Sequence, residues 1–189
     1  MSTAVTCPDH VYITARAHRP SITQRPTPTK GSIMTTFTTF LWFDTQALEA
    51  AEYYTSIFED SRINQIRHYP SSPDDAGSIM TVDFELGGRA FTALNAGPGD
   101  PFTDAMSIEV RCDSQDEVDR YWNQLTDGGE EKPCGWLKDQ FGVMWQVFPN
   151  LFFELLDDPD PAKSQAVSAA MLKMRKIESS ELQAAFDNA

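Results

Sequence analysis

The sequence predicts an α+β fold built from two βαβββ modules followed by C-terminal helices. Three observations carry the prediction. Strand-type and helix-type hydrophobic periods alternate in the same order twice along the chain. Asp44-Thr45-Gln46, followed by Tyr53-Tyr54, returns at an offset of 69 residues as Asp113-Ser114-Gln115, followed by Tyr121-Trp122 with a one-residue slip inside the helix. Gly88-x-x-Phe91-Thr92-Ala93-Leu94 likewise returns as Gly142-x-x-Trp145-Gln146-Val147-Phe148. An Asp ahead of a helix is a common cap and recurs by chance, but two matches in the same order and at the same places point to duplication.

In the first copy, residues 35–43 are aromatic and β-branched and read as a strand. Residues 45–58 place Leu48, Ala51, Tyr54 and Ile57 at helical spacing. A strand over 62–69 and a loop over 70–77 follow. Residues 78–86 alternate, Gly87-Gly88 forms a hairpin turn, and 90–95 return as a strand. The second copy begins with a strand over 106–112. A helix over 115–126 carries Val118, Tyr121, Trp122 and Leu125, and Asp127-Gly128-Gly129 ends it. A candidate strand over 131–138, a turn at 139–142 and a strand over 143–149 complete the module. Each copy is expected to be a curled sheet with a helix on its outer face, two such sheets enclosing a cleft. The chain is helical beyond the second module. Asp160 caps a helix with Pro161 in its first turn and an apolar stripe of Val167, Ala170, Met171 and Met174; a short helix spans 180–187. The domain runs from 34 to 158, its modules over about 34–97 and 105–150, with the C-terminal helices over 159–189.

Composition narrows the function. With 15 Lys and Arg against 28 Asp and Glu, the net charge is −13. A nucleic-acid partner needs clustered bases that this chain lacks, and anionic membranes are disfavoured for the same reason. No apolar run is long enough to span a bilayer. Three cysteines, Cys7, Cys112 and Cys134, are too few for a disulfide framework and fit a reducing, cytoplasmic setting. Of three histidines only His68 lies beyond the N-terminal segment.

Residues 1–33 hold four bases and one acid and are rich in Ser, Thr and Pro, the composition of a disordered extension. They admit two readings. One is an Arg-rich transit peptide. The other is a dispensable extension ahead of Met34, which sits just before the first strand.

These motifs resemble the PhnB-like family, also labelled demethylubiquinone methyltransferase-like, of the glyoxalase/bleomycin-resistance (vicinal oxygen chelate, VOC) superfamily. The resemblance rests on Phe40-Leu41-Trp42-Phe43-Asp44, on the 78–84 strand, on Phe91-Thr92-Ala93-Leu94-Asn95, and on Glu117 to Trp122. Its most specific stretch is Cys134-Gly135-Trp136-Leu137-Lys138-Asp139-x-Phe141-Gly142-x-x-Trp145-Gln146. Asp158-Pro159-Asp160-Pro161 through Met174 also fits, so the likeness extends from Met34 to about Phe186. It implies a glyoxalase/VOC fold, two facing modules and a homodimer. It also implies metal-ligand positions on the first and last strand of each module: near Thr38 or Thr39, at Thr92, near Met106 or Ser107, and at Gln146.

A divalent cation needs imidazole, carboxylate or thiolate donors. Only Gln146 in that set is a credible ligand, so the sequence predicts no metal and no other cofactor. The methyltransferase label finds no strand–Gly-x-Gly–helix that would seat its cofactor, and there is no phosphate loop. Cys134 is the one candidate nucleophile; on a strand it shares a face with Trp136 and Lys138, whose ammonium favours a thiolate. A small buried cysteine is the simpler account, as no histidine is near in sequence. Trp42 and Trp136 could stack on a flat ligand; alternation sets Trp145 on the face opposite Gln146. Asp83 and Glu85 share a strand face, either as an acid–base pair or turned to water. The expected ligand-binding residues are therefore Trp42, Thr92, Cys134, Trp136 and Gln146, with no catalytic residue assigned. The expected partner is a small molecule held in the cleft, bound or sequestered without a metal. The alternative is an enzyme of the isomerase, lyase or methyltransferase-like kind, acting on a small carbonyl or quinone-type substrate.

Overall fold

A computed structural model describes residues 35–70, 77–99 and 101–189. The expectations for residues 1–33, and for most of the 70–77 loop, lie outside the described residues.

The first module is β1 (Thr39–Phe43), α1 (Ala47–Ile57), β2 (Arg62–His68), β3 (Ile79–Leu86) and β4 (Arg89–Asn95). The second is β5 (Ile108–Cys112), α2 (Gln115–Thr126), β6 (Glu130–Glu131), β7 (Trp136–Lys138) and β8 (Met144–Pro149). Helices α3 (Asn150–Leu156), α4 (Pro161–Met171) and α5 (Ser179–Asp187) follow. The sheet orders β1-β4-β3-β2 and β5-β8-β7-β6 have the same topology. In each, the first and last strands pair in parallel, Thr39 beside Phe91 and Ile108 beside Trp145. The α+β fold of two βαβββ modules read from the sequence is therefore present, and the parallel pairs of the two sheets have corresponding registers.

Local chemistry explains the element ends. Gly87 and Gly88 both adopt positive φ, 52° and 79°, as the two-residue turn between β3 and β4 demands. Ser114 and Glu117 form a reciprocal cap on α2: the Ser114 hydroxyl accepts from the Glu117 amide, and the Glu117 carboxylate accepts from the Asp113 amide at 2.8 Å. Helix α1 has no such cap of its own. The Ala47 amide instead donates to the Asn95 side chain at the end of β4. Asp160 accepts from the Ala162 amide and opens α4, with Pro161 in the first turn.

The second module departs from expectation at its third strand. A single strand over 131–138 is interrupted because Cys134 and Gly135 both take positive φ, 64° and 78°. Those two residues turn their amides to the C-terminal segment, Cys134 to the Met174 carbonyl and Gly135 to the Arg175 carbonyl. The alternation that would place Cys134 on one face with Trp136 and Lys138 is lost.

The helices do not lie on the outside of a central cleft. One core takes the inward faces of both sheets, with Leu41, Phe84 and Ala93 from the first and Ile108, Trp145 and Val147 from the second, together with α1 and α2. The interior between the modules within the chain is packed with side chains, with open space left at its edges. A second cluster joins Phe148 and Cys134 to α3–α5 through Phe152, Val167, Met171, Ile177 and Leu182. The Met171 and Met174 side chains are buried there.

Candidate functional site

The five residues expected to bind a ligand do not meet in one cavity. On β4, Thr92 is 6% exposed and donates to the Asp83 carboxylate at 2.9 Å. Asp83 also receives Arg67 at 2.6 Å, and Glu85 receives Arg62 at 2.6 Å. The two acids are thus tied across the β2–β3 pair rather than to each other. Register puts Phe40 directly beside Thr92. The hydroxyl of Thr81, on the same face, is buried with no hydrogen-bond partner among the described residues.

Gln146 occupies the equivalent place on β8. Its amide donates to the Ser107 hydroxyl at 2.7 Å, so the two positions that the resemblance paired are in contact. Glu109 lies beside Gln146 on β5, and Trp136 beside it on β7. Glu109 is bound by Arg111 at 2.6 Å, and the Arg111 guanidinium rests 3.9 Å from the centre of the Phe153 ring on α3. Sequence reading missed Glu109. Its signal was available in the repeat, because Glu109 stands where Phe40 stands in the first copy.

Trp42 is 42% exposed, with its indole N–H on the Gly97 carbonyl at 3.0 Å. It borders a cavity of about 350 Å³ with Asp44, Gln46, Lys138 and Phe141. Trp136 is half-buried against the α3–α5 cluster. Trp145 is 1% exposed in the core, on the face opposite Gln146 as alternation requires.

Cys134 is 2% exposed beneath the C-terminal helices. Cys112 is fully buried, and burial pushes its thiol up to about 12. Thiols held protonated or shielded from reagent are inert. In a Cys7→Ser variant, Ellman's reagent at pH 8 should therefore find no fast-reacting thiol in the native protein and two after denaturation.

Asp139 has the most demanding environment. Read from the sequence as part of a turn, it does form one, the Gly142 amide donating to its carbonyl at 3.0 Å. Its side chain is also 3% exposed and accepts four hydrogen bonds. One oxygen takes the Phe141 and Val143 amides, each at 2.9 Å; the other takes the Tyr54 hydroxyl at 2.7 Å and the Trp145 indole at 2.8 Å. Burial raises its carboxyl above the usual range, and the four donors oppose that shift. The group is a fully satisfied joint between α1 of the first module and β8 of the second.

The family model described as 3-demethylubiquinone-9 3-methyltransferase matches residues 35–148. That range stops short of α3–α5, over which the sequence resemblance had been extended. A PhnB protein from Bacillus cereus is 32% identical, with 61% of this chain and 99% of that chain covered and a TM-score of 0.55. Protein PA1353 from Pseudomonas aeruginosa is 23% identical, with 61% and 98% covered and a TM-score of 0.53, a likeness of fold. No curated protein matches the chain.

Proposed function

The chain belongs to the 3-demethylubiquinone-9 3-methyltransferase family of PhnB-like proteins, and from that premise we propose that it binds a small organic ligand without a metal, in a cleft closed by two copies of the chain. The observation that carries the reading is where Thr92 and Gln146 lie. They hold equivalent positions on faces turned away from the filled space between the modules. A ligand between those faces therefore needs the Thr92 face of one copy set against the Gln146 face of another.

The surface supports this arrangement. The exposed large hydrophobic residues among those described are Phe37, Phe40, Trp42, Ile66 and Met106. Four of these five lie on or just before the first strand of a module, beside the proposed cleft, and aromatic exposure on that scale marks an interaction surface. The unpaired Thr81 hydroxyl on the Thr92 face is a polar group that a ligand or an ordered water would satisfy.

The donor set does not fit a divalent cation. Of the positions that the resemblance marks, Thr39, Thr92 and Ser107 offer neutral hydroxyls, and Gln146 alone offers a credible ligand, its amide oxygen. Within a single copy, no three of His, Cys, Asp and Glu among the described residues converge where they could hold an ion. Methyl transfer is not carried over from the family's name either, because the β1–α1 and β5–α2 corners hold Asp44-Thr45-Gln46 and Asp113-Ser114, without a glycine turn to seat a nucleotide cofactor. No described helix is long and apolar enough to cross a membrane.

Native mass spectrometry of the full chain tests the reading. A dimer retaining an organic molecule is the expected result, with the molecule lost and the dimer kept in Gln146→Ala. A strict monomer that retains the ligand would sink the shared cleft, and a stoichiometric metal would sink the metal-free site.

A further inference from the structure

A second cavity, of about 330 Å³, opens on the seam between the modules; Glu109, the strand partner of Gln146, lines it, and Thr92 and Gln146 do not. The turn end of the β3–β4 hairpin forms one wall and β5 the other. Phe58, Phe91 and Trp145 lie at its base, with Phe58 stacked on Trp145 at a centroid distance of 5.4 Å. Four charged side chains line it: Glu59, Arg89, Glu109 and Arg111.

Three of these four charges are already matched. Glu59 is held by Arg120 at 2.9 Å, and Glu109 and Arg111 hold each other at 2.6 Å. Arg89 differs. No carboxylate lies within ion-pair distance of it among the described residues. It donates to the Thr39 hydroxyl at 3.3 Å and sits 5.5 Å over the centre of the Phe91 ring. The backbone explains that placement. Arg89 opens β4 just after the Gly87-Gly88 turn, and strand alternation sends its side chain to the same side as Phe91, over the cavity base. Arg89 is exposed to solvent, so its guanidinium is open to an incoming anion beside the aromatic base.

We propose that this seam cavity binds a small aromatic carboxylate, its ring against the apolar base and its carboxylate on the Arg89 guanidinium. The planar fork of arginine matches a carboxylate in two parallel hydrogen bonds. Junctions between modules are where small-molecule pockets concentrate, and the volume lies at the lower end of their range. The overall charge of −13 repels anions at long range, so the recognition is local. The cavity borders the proposed two-copy cleft at Glu109 but holds neither Thr92 nor Gln146, so Gln146→Ala tests the cleft and Arg89→Leu tests the cavity.

Benzoate is the probe, and benzamide, which keeps the shape and loses the charge, is its control. Titration of the full chain by ligand-observed NMR should show saturable benzoate binding that weakens with added salt, and no comparable binding of benzamide. Arg89→Leu should weaken benzoate about 10-fold, while Lys173→Leu, which changes the net charge equally at a distance, should not. Glu109→Gln removes the negative charge that neutralises Arg111 and should tighten benzoate several-fold. That opposite sign protects the test against a variant that merely unfolds. Equal binding of benzoate and benzamide, an Arg89→Leu protein that binds as the parent does, or weaker binding in Glu109→Gln would overturn the proposal.

Discussion

Replacing Asp139 by Ala should lower the melting temperature by about 10 °C. The substitution removes one carboxylate and strands four donors: the amides of Phe141 and Val143, the Tyr54 hydroxyl and the Trp145 indole N–H. The side chains that lose their acceptor are enclosed, Tyr54 fully buried and Trp145 1% exposed. A buried donor left unsatisfied costs about 1–3 kcal/mol. Water entering the vacated space recovers part of that, so a total near 4 kcal/mol is expected. Tyr54→Phe removes one donor and leaves the carboxylate three, so it should cost about 1–2 kcal/mol. A calorimetric ranking with Tyr54→Phe at or above Asp139→Ala would show that the hydroxyl, and not the carboxylate, is the centre of the joint.

The pH dependence of that difference has a definite sign. Burial places the folded-state pKa of Asp139 above its unfolded value. A group shifted in that direction favours the folded state while it is protonated, and the advantage is lost as pH rises through the folded value. Relative to an Asp139→Asn protein, the parent should therefore lose stability as pH rises from about 4, near the unfolded carboxyl pKa, through the folded pKa of Asp139.

Why the sequence foretold the sheets and missed this joint follows from the range of each signal. Alternation in 78–86, helical spacing at Leu48, Tyr54 and Ile57, and the Gly87-Gly88 turn are local, so they can be read without tertiary information. The Asp44 and Asp113 repeat extended the reading to topology, because duplicated sequence implies duplicated pairing. Asp139 is different. Its role depends on Tyr54, 85 residues earlier, and a turn aspartate looks the same whether its side chain meets water or a buried hydroxyl. The same limit applies to Cys134. Its place next to Trp136 and Lys138 in sequence implied a shared strand face, but the positive φ of Cys134 and Gly135 is set by Met174 and Arg175, far along the chain. Packing of α1 and α2 into one core between the sheets was also beyond periodicity, which shows that a helix has an apolar face but not which sheet receives it. Trp42, Thr92 and Gln146 were correctly placed on their strands, while the cavity each faces depends on how the modules turn relative to each other.

Ile177→Ala should expose Cys134 to thiol reagents while leaving Cys112 protected. The C-terminal segment is fastened to the second module by both polar and apolar contacts. Cys134 and Gly135 donate to the Met174 and Arg175 carbonyls at 2.8 and 2.7 Å. Gln115 donates to the Ile177 carbonyl at 3.0 Å and accepts from the Ser179 amide at 2.8 Å. Lys176 reaches Asp119 on α2 at 2.5 Å. The polar tie at Lys176 is partly solvated, and such pairs contribute little. The apolar contact is the stronger fastening. Ile177 is fully buried, and its side chain packs with Phe148 against Gly135 so closely that a Cβ there would come within 3.0 Å of both. Truncating a buried isoleucine to alanine costs about 2–5 kcal/mol. That loss falls on the cluster of Phe148 and α3–α5, separate from the core holding Cys112, so it should appear as local opening before global unfolding. In a Cys7→Ser background, one thiol should label at least about 10-fold faster at a temperature where far-ultraviolet circular dichroism is unchanged, and peptide mapping should identify it as Cys134. Equal acceleration at both cysteines would mean that the C-terminal helices and the two-module core unfold as one unit. The part of the chain matched by the family model would then have no stability apart from the helices that follow it.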